Sequence, residues 1–536
     1  MRAVTTFNGA ADADVAQAAR GGESLGFGMR RYAYSPRLPP APGSPMGGLP
    51  METCLHGLAE RLVRGLAACG RLATVSAALL CGWDGGSAID GAEVVLPQAT
   101  AETPDIGTRD GEDWGTFLGP RGDGRSGLRG IRAPWPKQGP AVAWHCELGE
   151  GYCGPAVALG RAIVFDRIGR DIRLRCLEAE TGRKLWEERY PTAYVDTFGY
   201  DGGPRAAPVI ARDRVLTYGP DGRLECRAVV DGASLWKVDT GRDYHVVQNF
   251  FGVGAAPLVV DAGTGPLVVV QVGGSRPGAA PPAPERLDLV KGLDSGLVAF
   301  DLATGRERWR ASDQLASYST PILARIGDRD RILAWMRDDL IVVDPASGAV
   351  EGRFRWRDDE VFSAVCASPV ADGGRVLLSE CYGPGSVLLD VAGGEPRPLR
   401  QDRRNARPDA ALRAHWATPV LLDGHLFGAS GRNAGDAVLA CVDWQTGVVR
   451  WAEGGFGRAS GTLVDGHLVV LGEYGDVALV RATPERYDEV SRTRLRDPAA
   501  GGELLAPPCW AAPVVARGLC YVRGQGRLVC FALTAE

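Results

Sequence analysis

The chain has 536 residues, 45% of them hydrophobic and 23% charged, with a formal net charge of −5. That balance is globular, and nothing in it argues for the basic face of a nucleic-acid binder, so no nucleic-acid partner is expected. The 73 glycines and 36 prolines make up about a fifth of the chain, which excludes a body of long helices and points to many turns between short strands.

The N-terminal part reads differently from the remainder. Residues 1–60 are expected to be an extension, either disordered or upstream of the true start; the first fifty are rich in Gly, Ala and Pro and lack periodicity. Over residues 61–92, Arg61, Arg64 and Arg71 precede the apolar run LATVSAALLCGW and the small residues GSAIDGA. Positive, then apolar, then small is the order of a secretory signal, and a run of about a dozen apolar residues is short for a membrane span. Leu80 stands before Cys81 where a lipid-attachment site wants a small residue. The expectation is export to the periplasm or cell envelope with no membrane span in the mature chain, or a cytoplasmic protein if the segment is unused. Residues 93–112 read as a linker.

From residue 113 to the end one pattern repeats. Glu178–Trp186 reads EAETGRKLW, Val230–Trp236 VDGASLW, Phe300–Trp309 FDLATGRERW and Asp443–Trp451 DWQTGVVRW, with a looser DPASGAVEGRF ending at Phe354. A motif written this often is architectural, since catalysis needs one constellation rather than five. Each unit opens with a small residue, a proline and an apolar run: GPAV at Gly154, APVI at Ala207, APLV at Ala256, TPIL at Thr320, SPVA at Ser368, TPVL at Thr418 and APVV at Ala512. An eighth opening, SGTLV at Ser460, has Gly461 in place of the proline.

The sixth unit, Ala417–Trp451, spells four short strands separated by DG, GRNAGD and QTG turns. In the TG turn, glycine can take positive φ while Asp or Thr bonds the local backbone. The closing tryptophans are expected to pack between units. Eight such units predict an all-β fold, an eight-bladed β-propeller of four-stranded blades. The last unit, 511–533, has three strands, so AVAWHCELG (Ala141–Gly149), which carries Trp144, is expected to supply its fourth and close the ring.

The pattern small-Pro-apolar, DG, then D-x-x-TG-x-x-x-W resembles the repeat of pyrroloquinoline-quinone-like propellers. That group includes quinoprotein alcohol dehydrogenases and the BamB outer-membrane assembly lipoproteins. The resemblance covers Trp114 to Leu533, and DWGTFLGPRGDGRSG (Asp113–Gly127) is similar to the opening of exported bacterial members. It implies the fold strongly and an activity only weakly.

With strands lettered A to D outward from the small-Pro strand, the A–B and C–D turns are short. The insertions 187–204, 237–252, 272–295, 310–317, 355–365, 391–415 and 488–509 fall in B–C or D–A loops, all on one face, where function is expected. The residue three before each proline, or before Gly461, falls where the central funnel opens: Tyr152, Arg205, Gly254, Tyr318, Cys366, Trp416, Arg458 and Trp510. Aromatic faces and guanidinium forks at one mouth make a recognition surface or a packed plug. His415 adjoins Trp416, and QNFFGVG places Phe250 and Phe251 in a D–A loop.

B–C turns are read to add Asp166, Glu380 and Glu473, as solvated turn residues or as cation or acid–base groups. His425 and His467 follow DG turns and read as structural. Arg403, Arg404, Arg407 and Arg413 mark a basic loop. The thirteen cysteines include no CxxC, no CxxCH and no Cys-Cys pair.

Three functions compete. The leading one is a non-catalytic, exported, monomeric propeller that binds a protein or polysaccharide through the loop-rich face, with no catalytic residue and no metal site assigned. The second is a quinone-dependent dehydrogenase. The resemblance implies adjacent cysteines and a calcium site for that class, so no cofactor is expected, with pyrroloquinoline quinone and calcium disfavoured. The third is a hydrolase or lyase using a carboxylate, His415 and an arginine, for which no GxSxG or HExxH motif occurs.

Overall fold

The computed structural model describes residues 109, 111–263, 265–403 and 409–534. The extension, the signal-like segment and nearly all of the linker lie outside the described residues, as do Arg404 and Arg407.

The described residues form eight sheets, one per repeat. Blade 1 consists of Ala156–Ala158, Arg161–Ile168, Asp171–Glu178 and Lys184–Pro191; blades 2 to 7 occupy residues 209–239, 258–311, 322–355, 370–401, 420–453 and 460–494. Blade 8 takes three strands from residues 514–532 and its outer strand from Val142–Glu147, antiparallel to Arg527–Ala532. The chain thus closes its ring with its N-terminal strand, as the three-strand last unit requires. Among the described residues helix is confined to Thr240–Asp243 and one short turn at Leu287–Leu289.

Strands B and C are covered on both faces by neighbouring blades, which is why they read as unbroken apolar runs such as RVLLSE and DVALVR. One core cluster joins Leu267, Val269 and Ala299 of blade 3 to Ile332, Ala334 and Ile341 of blade 4. The tight A–B turns place both central residues at positive φ, as at Asp423 (46°) and Gly424 (76°), the type I′ geometry that DG favours. His425 and His467 bond the carbonyls of Asp423 and Asp465 in these turns at 3.0 and 2.8 Å, a structural role.

The rewritten TG…W motif is a clamp between blades. The Trp309 indole donates Nε1–H to the Pro345 carbonyl of blade 4 at 3.1 Å. Its ring lies so close to Gly348 (φ +75°) that a Cβ there would sit 2.6 Å from the indole. Trp144, Trp186 and Trp236 repeat this on Gly182, Gly232 and Gly305, with indole donors on the carbonyls of Ala179, Val229 and Leu302 at 2.9, 3.0 and 2.9 Å. Trp451 donates to the Thr483 carbonyl at 2.8 Å. The turn is held by its aspartate: Asp443 Oδ1 accepts the N–H groups of Gln445 and Thr446 and the Thr446 hydroxyl. Those donors, led by the Thr446 N–H, hold the Asp443 carboxyl below its usual range.

Two expectations need correction. Arg397–Gln401 and Glu489–Arg494 are the D strands of blades 5 and 7, inside segments that read as loops. Both are mostly solvent-facing and carry no tryptophan, so neither shows apolar alternation. In blade 4, whose ending is the looser copy, Phe354 lies outside the clamp position. Gly352 takes it, pressed against the Gly394 carbonyl, while in blade 5 the position falls to Arg400, whose guanidinium lies over Gly447.

The opening segment also does more than lead in. Trp114 exchanges backbone hydrogen bonds with Val157 of blade 1, Ile210 N–H of blade 2 donates to Gly115, and Arg125–Ser126 pairs in parallel with the inner strand of blade 7. Arg517 of blade 8 holds Asp113 at 2.7 Å. This strap crosses the channel on the A–B turn face and closes it there.

Trp309→Ala is expected to cost roughly 3–5 kcal/mol through the cavity it leaves, and Gly348→Ala about 1–3 kcal/mol through strain at positive φ. Both are measurable as lower urea midpoints, and unchanged midpoints would remove the clamp from the account.

Candidate functional site

All eight residues that precede the openings line one cavity of ≈ 240 Å³ on the channel axis, with Trp114, Phe117 and Leu118 of the strap also in its lining. Each comes from the D–A loop just before its A strand, so the ring repeats the blade geometry. The cavity is a blind funnel that opens on the loop-rich face.

The rings touch in sequence. His415 lies 4.4 Å from Trp416, Trp416 4.8 Å from Trp510, and Trp510 4.9 Å from Tyr152 between centroids. The Arg205 guanidinium continues the path at 5.2 Å from both Tyr152 and Phe251, and Phe251 meets Tyr318 at 5.6 Å. Arg458 packs over Trp416 and Trp510 at 4.7 and 5.2 Å. Gly254 leaves space for Tyr318, whose ring a Cβ would meet at 2.5 Å.

Both guanidiniums are neutralised from within. Arg205 pairs with Asp196 at 3.1 Å and donates to the carbonyls of Asp201, Gly203 and Phe251. Arg458 pairs with Glu473, which also accepts the Trp510 indole N–H at 3.0 Å and the Arg458 backbone N–H at 3.0 Å. Burial alone would raise the Glu473 carboxyl; the Arg458 donors outweigh it and hold the group below its ordinary 4.5. For His415, burial acts with the nearby Arg458 and Arg432 charges to push the imidazole down to about 3, so it is neutral at physiological pH.

Of the three carboxylates singled out, only Glu473 reaches the mouth. Asp166 is not a turn residue: it lies in the strand Arg161–Ile168, fully buried, bridged by Arg173 at 2.6 Å and Arg175 at 3.3 Å and bonded by the Gly149 N–H. Glu380 ends its strand and accepts from Ser363 Oγ at 2.6 Å and from the backbone of Tyr382 and Gly383. Burial, the largest influence, raises its carboxyl above the usual value. Among the described residues no group of three His, Cys, Asp or Glu side chains is placed to hold a metal ion. Arg413 of the basic loop pairs with Asp436 at 3.0 Å.

Sequence reading missed Tyr382, whose hydroxyl lies 3.4 Å from His415 Nε2 and whose ring carries the Arg432 guanidinium at 4.3 Å. It stands two residues after Glu380, in a turn already noted for its carboxylate. The floor formed by the strap was equally hidden, because its contacts are to residues far away in sequence.

Fold and site together define a closed, eight-bladed β-propeller with an aromatic, charge-compensated funnel. The chain belongs to the family described as outer membrane protein assembly factor BamB, which matches residues 131–271 and 170–406, just over half of the chain. It is similar in structure to a europium-containing methanol dehydrogenase, with a TM-score of 0.58 at 11% identity over 79% of this chain and 98% of that one. BamB from Moraxella catarrhalis gives 0.48 at 13% identity over 74% and 99% of the two chains. Quinohemoprotein alcohol dehydrogenase from Comamonas testosteroni gives 0.45 at 13% over 79% and 81%. At such identities the likeness is one of fold. No curated protein matches the sequence.

Acid provides a check on the funnel electrostatics. Because the folded-state Glu473 value is depressed, its stabilising contribution is complete above 4.5 and lost as pH falls through the folded value. Emission of Trp416 and Trp510 should therefore hold steady down to pH 4.5 and shift only below it, and Glu473→Gln should abolish that shift. A transition centred above 4.5 would contradict the assigned pairing.

Proposed function

We propose that this chain is a non-catalytic binding protein of the cell envelope, acting as a monomer, whose loop-rich face takes a protein or polysaccharide partner. The observation that carries the reading is the funnel itself: a blind cavity walled by touching aromatic rings, in which Arg205 and Arg458 are already matched by Asp196 and Glu473. Such a mouth favours an uncharged group that stacks, a sugar ring or an aromatic or apolar side chain, over a free anion. The family description, an outer-membrane assembly factor, agrees with an envelope setting, as does the signal-like order over 61–92. Among the described residues no helix is long and apolar enough to cross a membrane.

The residues present fit a quinone with calcium poorly. A tricarboxylate quinone needs unmatched cations, and calcium needs several oxygen ligands converging on one point. Here the mouth guanidiniums are paired, and Asp166, Glu380 and Glu473 are each bonded at separate places. Cys153 and Cys366 line the cavity as separate thiols, which burial raises to about 11 and about 12. Acid–base chemistry at His415 is equally ill served, because an imidazole held near 3 is not protonated to the imidazolium acid at neutral pH and is a weak base.

Titration of the intrinsic tryptophan emission with envelope polysaccharide fragments and with purified outer-membrane proteins tests the proposal. Saturable binding that weakens about 30-fold or more in Trp416→Ala or Trp510→Ala, the size of an interface anchor, is the expected result. Partners that bind both variants as well as the parent chain, or that are chemically changed on mixing, would overturn it.

A further inference from the structure

A second cavity, ≈ 290 Å³, lies off the axis on the loop-rich face, between the loops of blades 1 to 4. Its wall includes Tyr194, Asp221, Gln271 and Arg337. Arg337 sits in the B–C turn of blade 4 and is only 5% exposed. A guanidinium at that depth is normally matched by a carboxylate, because an unpaired buried charge is costly.

Its neighbours in sequence do not match it. Asp338 is drawn off to Arg355 at 3.2 Å and Arg357 at 3.5 Å, while Asp339 accepts from Gln314 at 3.1 Å. Among the described residues the Arg337 side chain has no ion pair and no hydrogen bond, and its Nη2 is buried without a partner. The face of Phe250 lies 5.5 Å from Cζ, and the Asp338 and Asp288 charges favour the cation from beyond ion-pair distance. Burial together with the Arg357 charge lowers its pKa to about 10, which still leaves it cationic at neutral pH.

The rest of the wall narrows the ligand. Gln271 has no donor to spare: its amide N–H groups go to the Ser319 and Trp335 carbonyls, while its side-chain oxygen accepts from the Ser317 N–H. The Tyr194 hydroxyl is buried beside the Asp196 carboxylate with no partner at hydrogen-bond distance, and burial raises its pKa to about 12, which keeps it a donor. Asp196, the carboxylate near Tyr194, already accepts from Arg205, Phe198 and Tyr200. Asp221 accepts from Thr192 at 2.7 Å and from the Arg223 N–H, and its charge disfavours a multiply charged guest. What the wall lacks is one acceptor that is flat, anionic and small.

We infer that this cavity is a binding site for a small monocarboxylate, with the Arg337 guanidinium as its counter-ion and the Tyr194 hydroxyl as a second donor. Arginine presents parallel N–H groups that fit a carboxylate bidentately, which a point-charge lysine does not. The site adjoins the aromatic funnel at Gly254, but its donors are its own and it stands or falls independently of the funnel reading.

Calorimetric titration of the full chain with acetate and propionate, at constant ionic strength with chloride as control, tests this. One saturable site per chain is expected, with affinity reduced at least tenfold in Arg337→Met and by a smaller factor in Arg337→Lys and Tyr194→Phe. Without ligand, Arg337→Met should melt at or above the parent temperature, because it removes an unmatched buried charge. No saturable binding to the parent chain, or equal binding by the methionine variant, would overturn the site. So would uptake of inorganic phosphate but not acetate, or a ligand-free methionine variant melting several degrees lower, which would make Arg337 a strut on Phe250. If the methionine variant does not fold, Arg337→Lys and Tyr194→Phe decide, and parental affinity in both would overturn the site.

Discussion

The molecule depends on one contact repeated around a ring: an indole laid flat on a glycine of the next blade, with its N–H on a carbonyl of that same turn. A sheet with two apolar faces cannot stand alone in water, and each blade here buries one face on the blade before it and the other on the blade after it. The clamp sets the distance and rotation between successive blades. Glycine is required twice over, because positive φ shapes the turn and a Cβ would occupy the space of the indole. Where the clamp lapses, other groups take its place, a guanidinium at Arg400 and a backbone-to-backbone approach at Gly352. Trp144 performs the same act across the closure, so the N-terminal strand locks blade 8 to blade 1.

Function follows from that regularity. Eight equivalent blades present eight equivalent positions at the inner end of the channel, and the chain has filled six of them with aromatic rings or a guanidinium stacked on such rings. The charges brought along are cancelled locally, by Asp196 and by Glu473. The strap from Asp113 to Ser126 converts a pore into a pocket. Tight turns crowd the opposite face, which leaves the loop-rich side as the natural approach for a partner.

Much of this could be read in advance because the repeat is strict. The opening signature fixed the number of blades, the three-strand last unit demanded an N-terminal partner, and a constant offset from each proline located the funnel ring, from Tyr152 to Trp510. Failures fell where local pattern carries no information. The D strands Arg397–Gln401 and Glu489–Arg494 face solvent and look like loops. Asp166 reads as a turn carboxylate, since nothing local tells that Arg173 and Arg175 bury it. Arg337 carries no local signal, standing before two aspartates that the fold turns toward other partners. The strap's contacts span the whole chain, from Asp113 to Arg517, and no window of sequence could have shown them.

The central claim is that this propeller binds without a redox cofactor. The direct measurement is a calorimetric titration of the purified chain with pyrroloquinoline quinone in the presence of calcium, with the absorption spectrum followed in parallel. The paired arginines and scattered carboxylates predict no saturable heat and an unchanged quinone spectrum. Stoichiometric, saturable binding with a shifted spectrum would contradict the account and make alcohol oxidation the first activity to seek.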